Sequence, residues 1–281
     1  MASQLLIERL ELLKEKSNQQ WLTDLEPRKL KELEFHNLHR DQDTLIDLPQ
    51  DTYEKLYGNK RFYGTVELSS KYVQNWIKSN SPNRIVLDYA CGNGGNAIAA
   101  ARAGADLVIG IDISDISIQN ARVFSEQQGT SQNTFFVQAD CENTELPDKS
   151  IDVIICSGML HHLDLSYALF ELRRILKPGG VVLAVEALDY NPLIKLYRNR
   201  TPAMRTEWEK SHILSYKDLA FASRFFEIKN IKHWHLLSIA GVWVPHILTL
   251  LNAVDKIILN IPFIKMWSWM FTFEMHKRQE I

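Results

Sequence analysis

Cysteine is scarce in this 281-residue chain: Cys91, Cys141 and Cys156 are the only three. So few, and an odd number, cannot make a disulfide framework; they point to a reducing compartment, with the cytosol as the expected address. No C-x-x-C pair occurs, which removes the usual cysteine zinc sites. Charge of one sign is lacking too. Lys and Arg total 32 against 34 Asp and Glu, a formal charge of -2, which argues against a nucleic-acid binder working by global charge. Glycine and proline, at 12 and 9, are too ordinary for a fibrous or low-complexity chain. No stretch reaches the ~20 apolar residues of a spanning helix. The nearest, Leu236 to Leu251, contains Pro245 and His246. The opening MASQLLIERLELLKEK is interrupted by Glu8 and Glu11 and lacks a small-residue cleavage site, so it does not read as a signal peptide. Peripheral membrane contact stays open.

What is present is a full core's worth of apolar residues, 46% of the chain, which rules out disorder as the main state. Composition divides the sequence into a charged N-terminal helical extension (1–80), a core (81–190) and an aromatic-rich C-terminal part (191–281). In the first part, Leu5, Leu6, Leu10 and Leu13 recur at helical spacing. Pro27 opens a second helical stretch. A loop is expected through Pro49 and Gly58, then another helix from Ser69 to Lys78. From about residue 84, short apolar runs alternate with helical patterns, and the runs show no polar alternation. That is the signature of a parallel sheet covered on both faces, an α/β fold. The helix before Lys177-Pro178-Gly179-Gly180 is expected to stop there. In the last part, 227–232 and 271–276 read as antiparallel edge strands, and 236–264 as apolar helix interrupted by prolines.

The chemistry concentrates where the core's strands end. Ile85-Val86-Leu87-Asp88 runs into Tyr89-Ala90-Cys91-Gly92-Asn93-Gly94-Gly95, a small-residue turn opening a helix, where backbone can approach a ligand and free N–H groups are offered. Asp112 ends the second strand, where a carboxylate suits adjacent ribose hydroxyls. Asp140 ends the third, where it can accept from an adenine amino group. The fourth leads into Ser157-Gly158-Met159-Leu160-His161-His162.

Together, VLDYACGNGG, VIGIDIS, QADCENTELPDKSIDVIICSGMLHHL and LKPGG resemble the Rossmann-like (class I) S-adenosylmethionine-dependent methyltransferases of small-molecule type, over roughly residues 60 to 190. The resemblance implies a mostly parallel seven-stranded sheet with helices on both faces and a C-terminal helical lid. It implies S-adenosyl-L-methionine as cofactor and S-adenosyl-L-homocysteine as product. Asp88 would lie by the methionine amino end, with Ala90, Gly92 and Gly94 forming the turn beneath. Asp112 would hold the ribose, Ile113 pack on adenine, Asp140 take its N6, Cys141 offer backbone N–H, and Ser157 face the methionine portion. Ala90 stands where the family usually has its first glycine. The N-terminal helices, with Arg61, Phe62 and Tyr63, are expected to close the cofactor side.

Methyl transfer is an in-line displacement that rests mainly on positioning and exclusion of water. A hydroxyl or ring-nitrogen acceptor profits from a base, and His161, His162, Glu186 and His212 are the candidates. His233, His235 and His246 read as partners of local backbone. The fourth strand ends in Cys-Ser-Gly-Met rather than Asn/Asp-Pro-Pro-Tyr, and no basic stripe with interleaved aromatics occurs, so nucleic acid drops down the list of partners. The insert 189–205 and the segment 236–264 resemble a lid over a pocket. The expected acceptor is a small apolar or amphiphilic metabolite, methylated on oxygen or nitrogen. A nicotinamide-dependent oxidoreductase and a non-catalytic cofactor-binding scaffold remain the alternatives. No metal is expected, and a homodimer stays open.

Overall fold

A computed structural model describes residues 4–40 and 49–278. Part of the loop expected before Pro49 lies outside them. Among the described residues one seven-stranded sheet carries the fold: β1 Ile85–Tyr89, β2 Leu107–Asp112, β3 Thr134–Gln138, β4 Ile151–Ser157, β5 Leu176–Ala187, β6 Glu227–Trp234 and β7 Met270–His276. The order is β3-β2-β1-β4-β5-β7-β6. The first five strands are parallel, and β7 runs antiparallel to both β5 and β6. The fold is thus an α/β Rossmann-like sheet, but β7 sets it apart from the wholly parallel 3-2-1-4-5-6 order of dinucleotide-binding sheets. The chain reverses direction across the sheet between β1 and β4, and the crevice beyond their C-terminal ends is where such sheets take ligands.

The helices are α1 Gln4–Glu15, α2 Asn18–Asp24, α3 Pro27–Arg40, α4 Gln50–Tyr57, α5 Glu67–Asn80, α6 Gly95–Arg102, α7 Asp115–Gln127, α8 Leu165–Ile175, α9 Pro192–Arg200, α10 Glu207–Ser211, α11 Tyr216–Ala222 and α12 Leu248–Ile258. Sequence explains their starts. Ser17 and Gln20 form a reciprocal capping box at α2, and Asp164 and Asn191 cap α8 and α9. Alternate residues of β1 feed opposite layers. Leu87 and Tyr89 pack in the cluster that takes Leu6, Leu10 and Leu13 of α1, whereas Val86 packs with Trp76 and Ile77 of α5 and Ala97 and Ala100 of α6.

Four local expectations need correction. Of the two expected edge strands only β6 lies at the edge; β7 is inserted between β5 and β6 and is buried, because both of its neighbours pair with it. Residues 50–57 form a helix where a loop was expected; only the polar composition suggested a loop, and burial of Tyr57 overrides it. Lys177–Gly180 does not precede β5 but belongs to it, because the β4–β5 register shifts between Ile151 and Val153 and the turn bulges out of the ladder. The segment 236–264 is helical only in α12; short 3-10 turns at 238–242 and 245–247 precede it.

Gly110 of β2 shows how closely neighbouring strands of the sheet pack. It pairs with Phe136 of β3, and a Cβ at Gly110 would lie 2.4 Å from the Phe136 ring, which is itself buried. Gly110→Ala should therefore destabilise the protein by about 1–3 kcal/mol through overpacking, and Phe136→Leu in that background should recover part of the loss. Urea unfolding midpoints read both; an unchanged midpoint for Gly110→Ala would contradict the packing described.

Candidate functional site

β1, β2, β3 and β4 deliver their C-terminal ends to one edge. After β1, Ala90, Gly92 and Gly94 all take positive φ (57°, 50° and 80°), which coils the chain into a tight turn. Ala90 accepts this conformation despite its Cβ. The Cys91 N–H donates to Ile111 O at 2.8 Å, stitching the turn to β2. Asp112 stands at the centre. Its two carboxylate oxygens accept from Gly92 N and Ser114 N, each at 2.9 Å, which leaves lone pairs for hydroxyl donors. Asp88 is buried and accepts from Ala97 N at 2.9 Å. Burial, opposed by that N–H and reinforced by Asp112, pushes the Asp88 carboxyl up to about 8.

The edge opens into two joined cavities. A narrow cleft of about 100 Å³ is lined by Ala90, Asp112, Ile113, Asp140, Cys141 and Ser157 from the sheet edge. A chamber of about 1000 Å³ lies beyond Ser157 and Gly158, which border both. Six of the expected cofactor residues line the cleft; Asp88, Gly92 and Gly94 belong to the turn and the buried strand end beside it, and Tyr63 lies elsewhere. Tyr63 is a chamber residue. Its ring centroid lies 5.6 Å from that of Trp269, and it lines the chamber while remaining exposed. The roof of the cleft is α3, one of the N-terminal helices expected there, whereas Arg61 to Tyr63 do not line it. Lys29 Nζ pairs with Asp140 at 2.6 Å, and Arg28 grips both oxygens of Glu142 at 2.6 and 2.7 Å. Arg40 lies over the turn, its Nη2 3.0 Å from where a Gly92 Cβ would stand. These residues fit a nucleoside carrying an amino-acid arm: Asp112 for a diol, Ile113 for a ring face, Arg40 for a carboxylate. Lys29 already holds the Asp140 oxygen that a base amino group would use, and the cleft itself is narrow.

The four candidate bases separate. Glu186, fully buried at the end of β5, accepts from Met159 N and Leu160 N through Oε1 and meets His161 Nδ1 through Oε2 at 2.6 Å. His161 lines the chamber. Burial works against protonation of its ring, but the Glu186 carboxylate prevails and holds the His161 pKa above its ordinary value. His162 bonds Glu32 of α3 at 2.9 Å. His212 lies outside both cavities; it is exposed and stacks on Trp208 at 3.7 Å, so its candidacy is corrected. Sequence spacing placed it near the lid but could not foresee the stacking. His233 and His235 pair with the hydroxyls of Tyr216, Ser69 and Ser238 rather than with backbone. Of the N-terminal helices expected on the cofactor side, α3 is the one that lines the cleft; its Glu32 and His36, at i, i+4, were not singled out in the sequence. With His162 their ligand atoms lie within 4.8 Å and could hold a cation; the hydrogen bond from His162 satisfies the Glu32 carboxylate without one.

Residues 86–180 match the family described as "Methyltransferase domain". A sterol 24-C-methyltransferase of Gibberella zeae is 34% identical over 101 residues, 36% of this chain and 27% of that protein. The 27-O-demethylrifamycin SV methyltransferase of Amycolatopsis mediterranei is 29% identical over 141 residues, 46% of this chain and 52% of that protein. The chain therefore matches between about a quarter and a half of these relatives' length. Among solved structures, geranyl diphosphate C-methyltransferase from Streptomyces coelicolor A3(2), in complex with Mg2+, geranyl diphosphate and S-adenosyl-L-homocysteine, superposes with a TM-score of 0.58 at 13% identity, covering 91% of this chain and 99% of that one. That likeness is one of fold.

Asp88 yields a test of the site's electrostatics. A carboxyl whose pKa rises on folding, here from 3.8 to about 8, binds more protons in the native state than in the unfolded one. Its contribution to stability therefore falls as pH rises through that window and levels off above it. In the cofactor-free protein, the Tm of Asp88→Asn relative to wild type should climb from pH 5 to 8 and then plateau. Parallel Tm curves would contradict a carboxyl whose burial outweighs its hydrogen bonds.

Proposed function

We propose that this chain, whose residues 86–180 are a methyltransferase domain of the Rossmann-like, S-adenosylmethionine-dependent class, methylates a small apolar or amphiphilic metabolite on oxygen or nitrogen. The carrying observation is the junction at Ser157 and Gly158, where a cleft edged by Asp112 and Asp140 opens into a large chamber beside a carboxylate-held histidine. S-adenosylmethionine supplies a methyl group on a sulfonium. The residues' proposed roles follow from their places. Asp112 holds the ribose hydroxyls, Ile113 and Cys141 flank the base, Ser157 borders the methionine arm and Arg40 takes its carboxylate. Asp88 ionises against the ammonium and stays under the turn. Glu186 fixes His161 as the Nδ1–H tautomer, which leaves Nε2 as the lone-pair nitrogen that receives the acceptor's proton. Glu186 is a positioning residue, and His162 ties α3 down. The apolar wall, with Phe62, Leu193, Ile194 and Trp243, excludes water and suits an apolar substrate.

The domain match favours this reading over the nicotinamide alternative, and the His161–Glu186 pair favours it over a scaffold. We place the chain in the cytosol on its unpaired thiols. Among the described residues no helix is long and apolar enough to cross a membrane. Surface contact is supported by the exposed Leu250, Ile257, Phe263 and Trp267, beside the segment that walls the chamber. Co-sedimentation with liposomes should then weaken for Phe263→Ser with Trp267→Ser; no sedimentation of wild type would remove the membrane contact.

The reading is tested by calorimetry with S-adenosylhomocysteine and by transfer of labelled methyl to the lipid-soluble fraction of cell extract. Absence of heat overturns it. With an acceptor in hand, kcat/KM should rise with pH through an inflection above 6.5, as the raised His161 deprotonates. Glu186→Gln keeps an acceptor for the two backbone N–H groups but presents an amide N–H to Nδ1, moving the ring proton to Nε2. Its rate should fall about 10²- to 10⁴-fold, the worth of a general base, and its inflection should shift to lower pH. An unchanged profile would exclude His161 as base.

A further inference from the structure

Arginine in the chamber wall is poorly neutralised. Arg198 of α9 is 12% exposed at its side chain, and the nearest carboxylate, Asp189, stands 3.7 Å away. Lys195 holds that same Asp189 more closely, at 2.8 Å. Among the described residues the Arg198 guanidinium donates no hydrogen bond, and its Nη1 is shut off from solvent without a partner. Arg205, 8% exposed, stands near it. Its Nη1 donates to Thr201 O and Oγ1 at 3.1 Å, and its Nε faces Glu209 at 3.4 Å. Three cations, Lys195, Arg198 and Arg205, thus share two carboxylates, Asp189 and Glu209. A buried guanidinium is stable only when paired and hydrogen-bonded. The strain is visible in the Arg198 ionisation, which burial and then the like charge of Arg205 push down to about 10.

Both arginines border the chamber, together with Tyr63 and His161. The same charges are felt at the proposed base: Glu209 and Arg198 both act on the His161 ring. The missing counter-charge and the planar donor fork call for a group with two oxygens in a plane. The remainder of the wall is apolar, with Leu236, Ile239 and Trp243.

We propose that Arg198 and Arg205 form an oxyanion subsite, so that the molecule entering the chamber is an apolar body bearing a carboxylate or phosphate close to the atom presented to His161. Naming that molecule the methyl acceptor rests on the function proposed above; binding of the anion does not.

The test uses the whole chain and three ten-carbon probes: decanoate, decyl phosphate and decanol. Trp243 and Trp269 line the chamber, so tryptophan fluorescence reports occupancy. At constant low salt, at least one anionic probe should bind tenfold or more tighter than decanol, and the preferred headgroup tells carboxylate from phosphate. Arg198→Met should reduce that preference to within about twofold while decanol still binds, which shows an intact chamber. Arg205→Met should reduce it partly, and Arg198→Lys should retain more of it than Arg198→Met. Equal affinities for all three probes, or a preference that survives Arg198→Met combined with Arg205→Met, overturns the subsite. S-adenosylhomocysteine is titrated into the same samples. A failure there condemns the methyl-transfer reading and leaves the anion preference to be judged separately.

Discussion

One buried carboxylate organises the catalytic edge. Glu186 has no contact with solvent, and its two oxygens bind Met159 N, Leu160 N and His161 Nδ1. Those three partners belong to the loop that leaves β4, while Glu186 belongs to β5. A single charge-assisted cluster therefore locks two neighbouring strands' exits together. It sets the passage between cleft and chamber, and it orients the imidazole on the chamber side. Desolvating a carboxylate is costly, and the two backbone donors with the imidazole are what offset it.

Burial shapes the electrostatics of the cofactor side differently. Asp88 has a backbone N–H on one oxygen and Asp112 as a like-charged neighbour, so it holds its proton well into the neutral range. Asp112 is also raised by burial, but two N–H groups and Arg40 oppose the shift. The edge thus presents an acid ready to ionise when a cation arrives, beside one already dressed with donors. The three cysteines are raised by burial and remain thiols, consistent with packing rather than reactivity.

Much of this was legible from residues alone because it is local. The unalternating runs that became β1, β2 and β4, and the acids at the strand ends, carry their signal within a few positions of chain. The antiparallel strands at 227–232 and 271–276 were readable for the same reason, but not that the second would lie inside the sheet. What escaped is made by distant packing. Nothing in Pro27–Arg40 says that its Lys29 and Glu32 will lie on the sheet edge. His212 stood as a further candidate behind His161 and His162 until its ring met Trp208. Tyr63 sits in the right stretch of sequence but in the neighbouring cavity. The helix Gln50–Tyr57 was hidden because its polar residues face outward and Tyr57 alone is buried.

The roof helix borders both cavities. Lys29 and Arg28 face the cleft, while Phe35 belongs to the chamber, and His36 and Arg40 touch the two together. A rigid rod with a foot in each room cannot answer to one guest alone. Whatever free energy one occupant spends or recovers in moving that rod is passed to the other, and linkage makes the effect mutual. Occupants that shifted this helix would then influence each other's affinity by the same factor.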